Sequence, residues 1–88
     1  MTREKTPPFR FQILQKIAVL STDSTGWTKE VNLISYNDKK PVLDIRKWSP
    51  KGKMGRGITL KAEELEALQE VLATLQIEQG EINYGYGN

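Results

Sequence analysis

The chain has 88 residues, 38% of them apolar and 27% charged, which suits one domain with a small core. It has no Cys and no His, which excludes disulfides, thiolate or imidazole metal sites, and Cys- or His-based catalysis. The net charge of +2 hides an asymmetry: residues 1–60 hold 12 Lys/Arg against 5 Asp/Glu, and residues 61–88 hold 1 against 6, so a basic body suited to a polyanion precedes an acidic C-terminal segment.

In chain order, "MTREKTPP" (1–8) reads as a flexible tail. It lacks the apolar stretch of a secretory signal, and no later run reaches the roughly 20 apolar residues of a membrane span. A soluble intracellular protein is expected. "FRFQILQKIAVLS" (9–21) alternates as a strand, with Phe11, Ile13, Ile17 and Val19 on one face. "TDSTG" (22–26) is a turn cluster, and "WTKEVNLISY" (27–36) a second strand. "NDKKP" (37–41) is a hairpin loop before a third strand, "VLDIRKW" (42–48). "SPKGKMG" (49–55) leads to a short fourth strand, "RGITL" (56–60), where Gly55 and Gly57 suit a bulge or a close backbone approach.

The period then changes. Leu65, Leu68, Leu72 and Leu75 form one helical stripe, and Glu63 and Glu64 suit a helix N-terminus. Lys61, at the expected helix boundary, is a poor capping residue. "EINYGYGN" (81–88) reads as a frayed tail or a short added strand. The order predicts an α+β fold, a four-stranded antiparallel meander followed by one C-terminal helix. The expected domain spans 9–78, flanked by tails 1–8 and 79–88.

One helix covers one face of such a sheet. The odd-numbered apolar residues, Val31, Leu33, Leu43 and Ile45, would meet it. The even-numbered face would then carry Tyr36, Arg46 and a free Trp48, between loops bearing Lys39, Lys40, Lys51 and Lys53. Aromatic rings among cations are what single-stranded nucleic acid needs, because bases stack while Lys and Arg follow the phosphates. Asp44, two residues before Arg46, would orient its guanidinium. With a single helix, a second copy of the chain would complete the burial, through Leu68, Val71, Leu72 and Leu75. "GKMG" (52–55) matches the G-x-x-G of KH domains only by chance, since it joins two strands rather than two helices. No carboxylate pair or Ser-base pair has a catalytic context, so neither enzymatic activity, cofactor nor metal is expected.

"VNLISY" (31–36), "LDIRKW" (43–48), "MGRGITL" (54–60) and "EELEALQEVL" (63–72) fall together in an order that resembles the single-stranded DNA-binding domain of transcriptional coactivator positive cofactor four, most closely its small bacterial YdbC-like members. The resemblance implies a ββββα unit, a saddle-shaped homodimer joined through its helices, and sequence-tolerant binding of single-stranded DNA. It further implies a transcription or DNA-maintenance role, a partner in the transcription machinery, and a cytoplasmic, nucleoid-associated location. By position it assigns nucleic-acid contacts to Tyr36, Arg46, Trp48 and Arg56, to Lys39 and Lys40 in the hairpin, and to Lys29, with Trp27 typical of the bacterial members. The segment between Arg46 and Trp48 is shorter here than in the eukaryotic coactivator. Single-stranded RNA, and an acidic protein docked on the same face, are the alternatives.

Overall fold

The computed structural model describes residues 9–84; the expected tail 1–8, and 85–88, lie outside them. Four strands, β1 (Phe11–Thr22), β2 (Thr28–Tyr36), β3 (Val42–Trp48) and β4 (Met54–Leu60), form an antiparallel meander in chain order, and α1 (Ala62–Leu72) follows. The β2–β3 turn forms at Tyr36–Lys39. Asn37 and Asp38 both adopt left-handed backbone, and Lys39 N–H donates to the Tyr36 carbonyl at 2.9 Å. This is the primed turn whose twist matches flanking strands. Asp23 closes the β1–β2 loop: its Oδ1 accepts from the backbone N–H of Thr25 and Trp27 at 2.9 and 3.1 Å.

The core does not lie where strict alternation places it. Residues opposite each other on β2 and β3 pair Thr28 with Trp48, Glu30 with Arg46 and Asn32 with Asp44. It is this even-numbered face that is buried, at Asn32, Ile34, Asp44 and Trp48. The odd-numbered residues Val31, Leu33, Leu43 and Ile45 are only half-buried.

Curvature explains the inversion. β1 shifts register against β2 between Ile13 and Gln15, between Lys16 and Ala18, and between Val19 and Ser21. Each bulge adds a residue, bends the strand and increases its twist. Phe11 stands opposite Tyr36 at one end of β2, and Trp48 opposite Thr28 at the other. Along a flat strand those ends would lie about 26 Å apart. The Phe11 and Trp48 ring centroids are 5.7 Å apart. The sheet is therefore curled into a trough whose two ends meet, and its concave side makes the core without a helix.

The bulges also correct the expected apolar face of β1. Phe11, Ile13 and Val19 stand opposite the concave residues Tyr36, Ile34 and Glu30, but Ile17 falls at a register shift and Lys16 stands opposite Asn32. A fourth irregularity lies between the pairs Arg46–Gly57 and Trp48–Met54. Here Gly57 is required by space: a Cβ on it would fall 1.9 Å from the Arg46 Cβ and 2.5 Å from the Ile45 carbonyl.

α1 starts at Lys61, whose backbone N–H donates to the Glu64 carboxylate at 2.8 Å. That contact satisfies the Lys61 N–H, while the Lys61 side chain, having no acceptor, caps nothing. The helix ends at Leu72, short of the expected Leu75, which instead opens β5 (Leu75–Glu78). β6 (Glu81–Tyr84) pairs antiparallel with β5, through a turn at Gln79 and Gly80 with both residues left-handed. The described part of the expected C-terminal tail is thus a strand, and the boundary at 78/79 falls within a hairpin. No residue of α1 is buried, and Leu72 is 51% and Ile77 72% exposed.

Candidate nucleic-acid interface

The concave trough gathers Asp44, Arg46, Tyr36 and a row of rings. Asp44 is fully buried, and its one carboxylate accepts from two residues. Arg46 Nε donates to it at 2.8 Å, Arg46 NH2 at 2.9 Å and the Tyr36 hydroxyl at 2.6 Å. Arg46 NH1 donates to the Gly55 carbonyl at 2.9 Å. Three of the five guanidinium N–H groups are thereby used to fix the plane, and two are left for a ligand. Asp44 holds the Arg46 proton more tightly than usual. Burial, and next the hydrogen bond to Asp44, push the Tyr36 hydroxyl up to about 12.

Phe9 and Phe11 flank Tyr36, at centroid distances of 5.9 and 6.5 Å. They are 64% and 39% exposed, whereas Trp48 is 5% exposed. The expected free Trp48 ring is therefore corrected. The curl brings Phe11 onto it, leaving too little open face for a base, and the rings that do reach the surface are Phe9 and Phe11. Their F-x-F spacing signals a shared face, but the alternation of β1 groups Phe11 with the apolar Ile13, Ile17 and Val19 rather than with the cations. Lys16 and Glu30 also line this side, in a cavity of about 350 Å³.

The remaining expected contacts divide. Lys39 and Lys40 are exposed beside the β2–β3 turn, close in sequence to Tyr36. Lys51 and Lys53 are exposed on the β3–β4 loop, where the backbone N–H groups of both donate to Ser49 Oγ. Trp27, Lys29 and Arg56 stand with Lys47 on the convex side, where Lys29, Lys47 and Arg56 line a shallow cavity that Arg46 also borders. Lys29 and Lys47 are direct cross-strand neighbours, a like-charge pair that is unfavourable by itself. Lys47 Nζ sits 5.9 Å from the Trp27 ring centroid and 3.4 Å from Asp23. The hydrogen bond from the Thr25 hydroxyl holds the Asp23 carboxyl down at about 2. Among the described residues no group of three His, Cys, Asp or Glu could hold a metal ion.

The profile of the family described as Transcriptional Coactivator p15 (PC4) matches residues 24–71, more than half of the chain, from within the β1–β2 loop to the last turn of α1. The chain belongs to the PC4 family. It is also 38% identical over 71 residues to an uncharacterized protein of Treponema pallidum (strain Nichols), an alignment covering 80% of this chain and 84% of that protein. In this PC4-family chain every expected contact from Trp27 to Arg56 falls inside the family match. Phe9, Phe11, Lys16 and the β5–β6 hairpin fall outside it.

Proposed function

We propose that the protein binds single-stranded DNA with little dependence on sequence, as a dimer, and acts in transcription or DNA maintenance. The observation that carries this reading is the guanidinium of Arg46, fixed by Asp44 and Gly55 beside the exposed rings of Phe9 and Phe11. An oriented cation next to stacking surfaces suits a phosphate and its neighbouring bases. Lys39 and Lys40 at one loop, and Lys51 and Lys53 at another, extend the positive path. Trp48 supports Phe11 from beneath. Trp27, Lys29 and Arg56 engage only a strand that continues onto the convex side.

The dimer is supported by the state of the apolar residues. Only Ile34 and Trp48 are buried apolar side chains among the described residues, too little core for a domain of this size to stand alone. Leu68 and Leu75 are half-buried, and Val71 and Leu72 are exposed. A second copy packed on α1 covers them. Partners in the transcription machinery follow from the family.

The test is fluorescence anisotropy with oligo-dT, oligo-U of the same length and a duplex, over a salt series. Binding of oligo-dT that weakens with salt by about 0.7 in log–log slope per neutralised phosphate is expected. Tighter binding of oligo-U would assign the site to RNA. No binding of any of the three at moderate salt would leave an acidic protein partner as the reading.

A further inference from the structure

One carboxylate in the trough does not fit a surface meant only for phosphate. Glu30 stands directly opposite Arg46 across β2 and β3. Arg46 nevertheless turns its guanidinium to Asp44 and Gly55. Among the described residues no Lys or Arg forms an ion pair with Glu30. Its plane is set from both sides: Oε2 accepts from the Thr28 hydroxyl at 2.6 Å, and Oε1 lies 3.4 Å from the Asn32 amide nitrogen. A carboxylate offers about four lone-pair positions, so two donors leave acceptor capacity unused.

Glu30 lines the cavity of about 350 Å³, together with Phe11, Ile13, Lys16, Trp48 and Pro50. Two more polar atoms on this face lack partners. Trp48 Nε1, a donor, and Asn32 Oδ1, an acceptor, are both buried with no hydrogen bond. Buried polar atoms of this kind are rare and costly unless a water or ligand meets them. The cavity itself combines a ring 39% exposed at Phe11 with an oriented carboxylate, and the two unmet atoms lie buried behind it. Lys16 shares the lining, but the Glu30 carboxylate disfavours a phosphate placed against it and favours a flat group that presents N–H donors.

We infer that this cavity is a nucleobase subsite that selects guanine at one position of the bound strand, with Glu30 as the selecting residue. The inference rests on the single-strand reading above. Guanine presents N1–H and the N2 amino group side by side, matching two carboxylate oxygens. Cytosine and adenine present one amino group each. Thymine presents one N–H between two carbonyls, which the carboxylate repels. Phe11 supplies the stacking face. A protein tolerant of most of its ligand's sequence would then have one discriminating position.

The test compares a 12-residue oligo-dT with the same strand carrying one central dG, dI or dC, by anisotropy at fixed salt. All four carry the same phosphates, so electrostatics cancel. About tenfold tighter binding of the dG strand is expected, the scale of one good bidentate contact to a base. The dI strand, which keeps N1–H and lacks the amino group, falls between dG and dT. Glu30→Gln should bring the dG:dT ratio to about one and raise affinity for oligo-dT, because a negative charge leaves the trough. Equal affinities of wild type for dG and dT strands would overturn the subsite, as would a dG preference that survives Glu30→Gln in a variant with an unchanged melting curve. If oligo-dT itself did not bind, the single-strand reading would fail. If it binds without discrimination, only the subsite does.

Discussion

On the concave side of the sheet, Asp44 is fully buried yet meets three donor atoms from two residues, and Trp48 is covered by Phe11. Along α1 and the β5–β6 hairpin, Leu72, Ile77 and Ile82 lie open to solvent. Both regions are written in the same 88 residues, and the difference is one of completeness. The trough closes on itself because the bulges of β1 bring its ends together. The C-terminal region has an apolar stripe and an apolar hairpin face with nothing among the described residues to bury them. An isolated two-stranded hairpin is marginal in water, so this region is stable only where another surface meets it. A single chain therefore closes its concave side and leaves open the apolar C-terminal face that the proposed second copy would cover.

The strongest way to break this contrast is at Trp48. If the trough is the core, Trp48→Ala should cost about 3–5 kcal/mol of stability, as expected for a large buried aromatic side chain. Urea denaturation measures it. A variant with wild-type stability that binds oligo-dT weakly would return Trp48 to the role of an open stacking ring.

Leu72→Glu addresses the other region. Leu72 is half-exposed in one chain, and covering it in two copies contributes about 1.5–3 kcal/mol to association. The added charge opposes that contact as well. Light scattering should show the dimer mass fall to that of one chain, with the network around Asp44 intact by circular dichroism. A mass unchanged from wild type would place the interface elsewhere.

Tyr36→Phe tests the polar centre of the trough. Removing the hydroxyl takes one donor from a buried carboxylate, which costs about 1–2 kcal/mol. The pH dependence gives a sharper readout. Folding raises Tyr36 from its ordinary value near 10 to about 12, so the folded state holds this proton more tightly. The stability it contributes is complete below about pH 10 and is lost as the pH rises through about 12. Absorbance titration of the 3 tyrosines should show one ionising late, and Tyr36→Phe should remove that phase.

The chain order of the four strands, the turn at Asn37 and Asp38, and the orientation of Arg46 by Asp44 were all legible in the sequence. Each depends on residues close together in the chain, and two-residue periodicity preserves their relative direction. Which face is the core was not legible. That choice depends on β1, where apolar residues occur at both odd and even positions, Leu14, Ile17 and Leu20 among them. Three bulges use that surplus, and their curvature is a property of the paired sheet rather than of either strand. The end of α1 was misread for a related reason. Leu75 continues the three-four spacing of the helix, yet it also begins Leu-Gln-Ile-Glu, whose alternation mirrors Glu-Ile-Asn-Tyr across Gln79-Gly80. The two periods share one leucine, and the turn decides between them. Nothing in the sequence marks Glu30, because a carboxylate has no place in the pattern of cations and rings that signals a nucleic-acid face.

The smallest effect separates the two faces of the sheet. Lys39 is exposed beside the turn that follows Tyr36, whereas Lys29 stands on the convex side opposite Lys47. A strand lying in the trough passes the first and reaches the second only if it continues onto the convex face. Lys39→Ala should therefore weaken short oligo-dT binding and reduce the salt slope by about 0.7, the share of one phosphate contact. Lys29→Ala should leave that slope near its wild-type value for a short strand and lower it only for a strand long enough to reach that face. The reason is geometric as well as electrostatic. Lys29 and Lys47 repel each other across the strand pair, so a phosphate between them would be favourable wherever the strand can reach it. Salt titrations of the two variants with short and long oligo-dT check this. Equal losses of slope with the short strand would mean that the convex cluster is part of the primary path, and the trough alone would no longer account for binding.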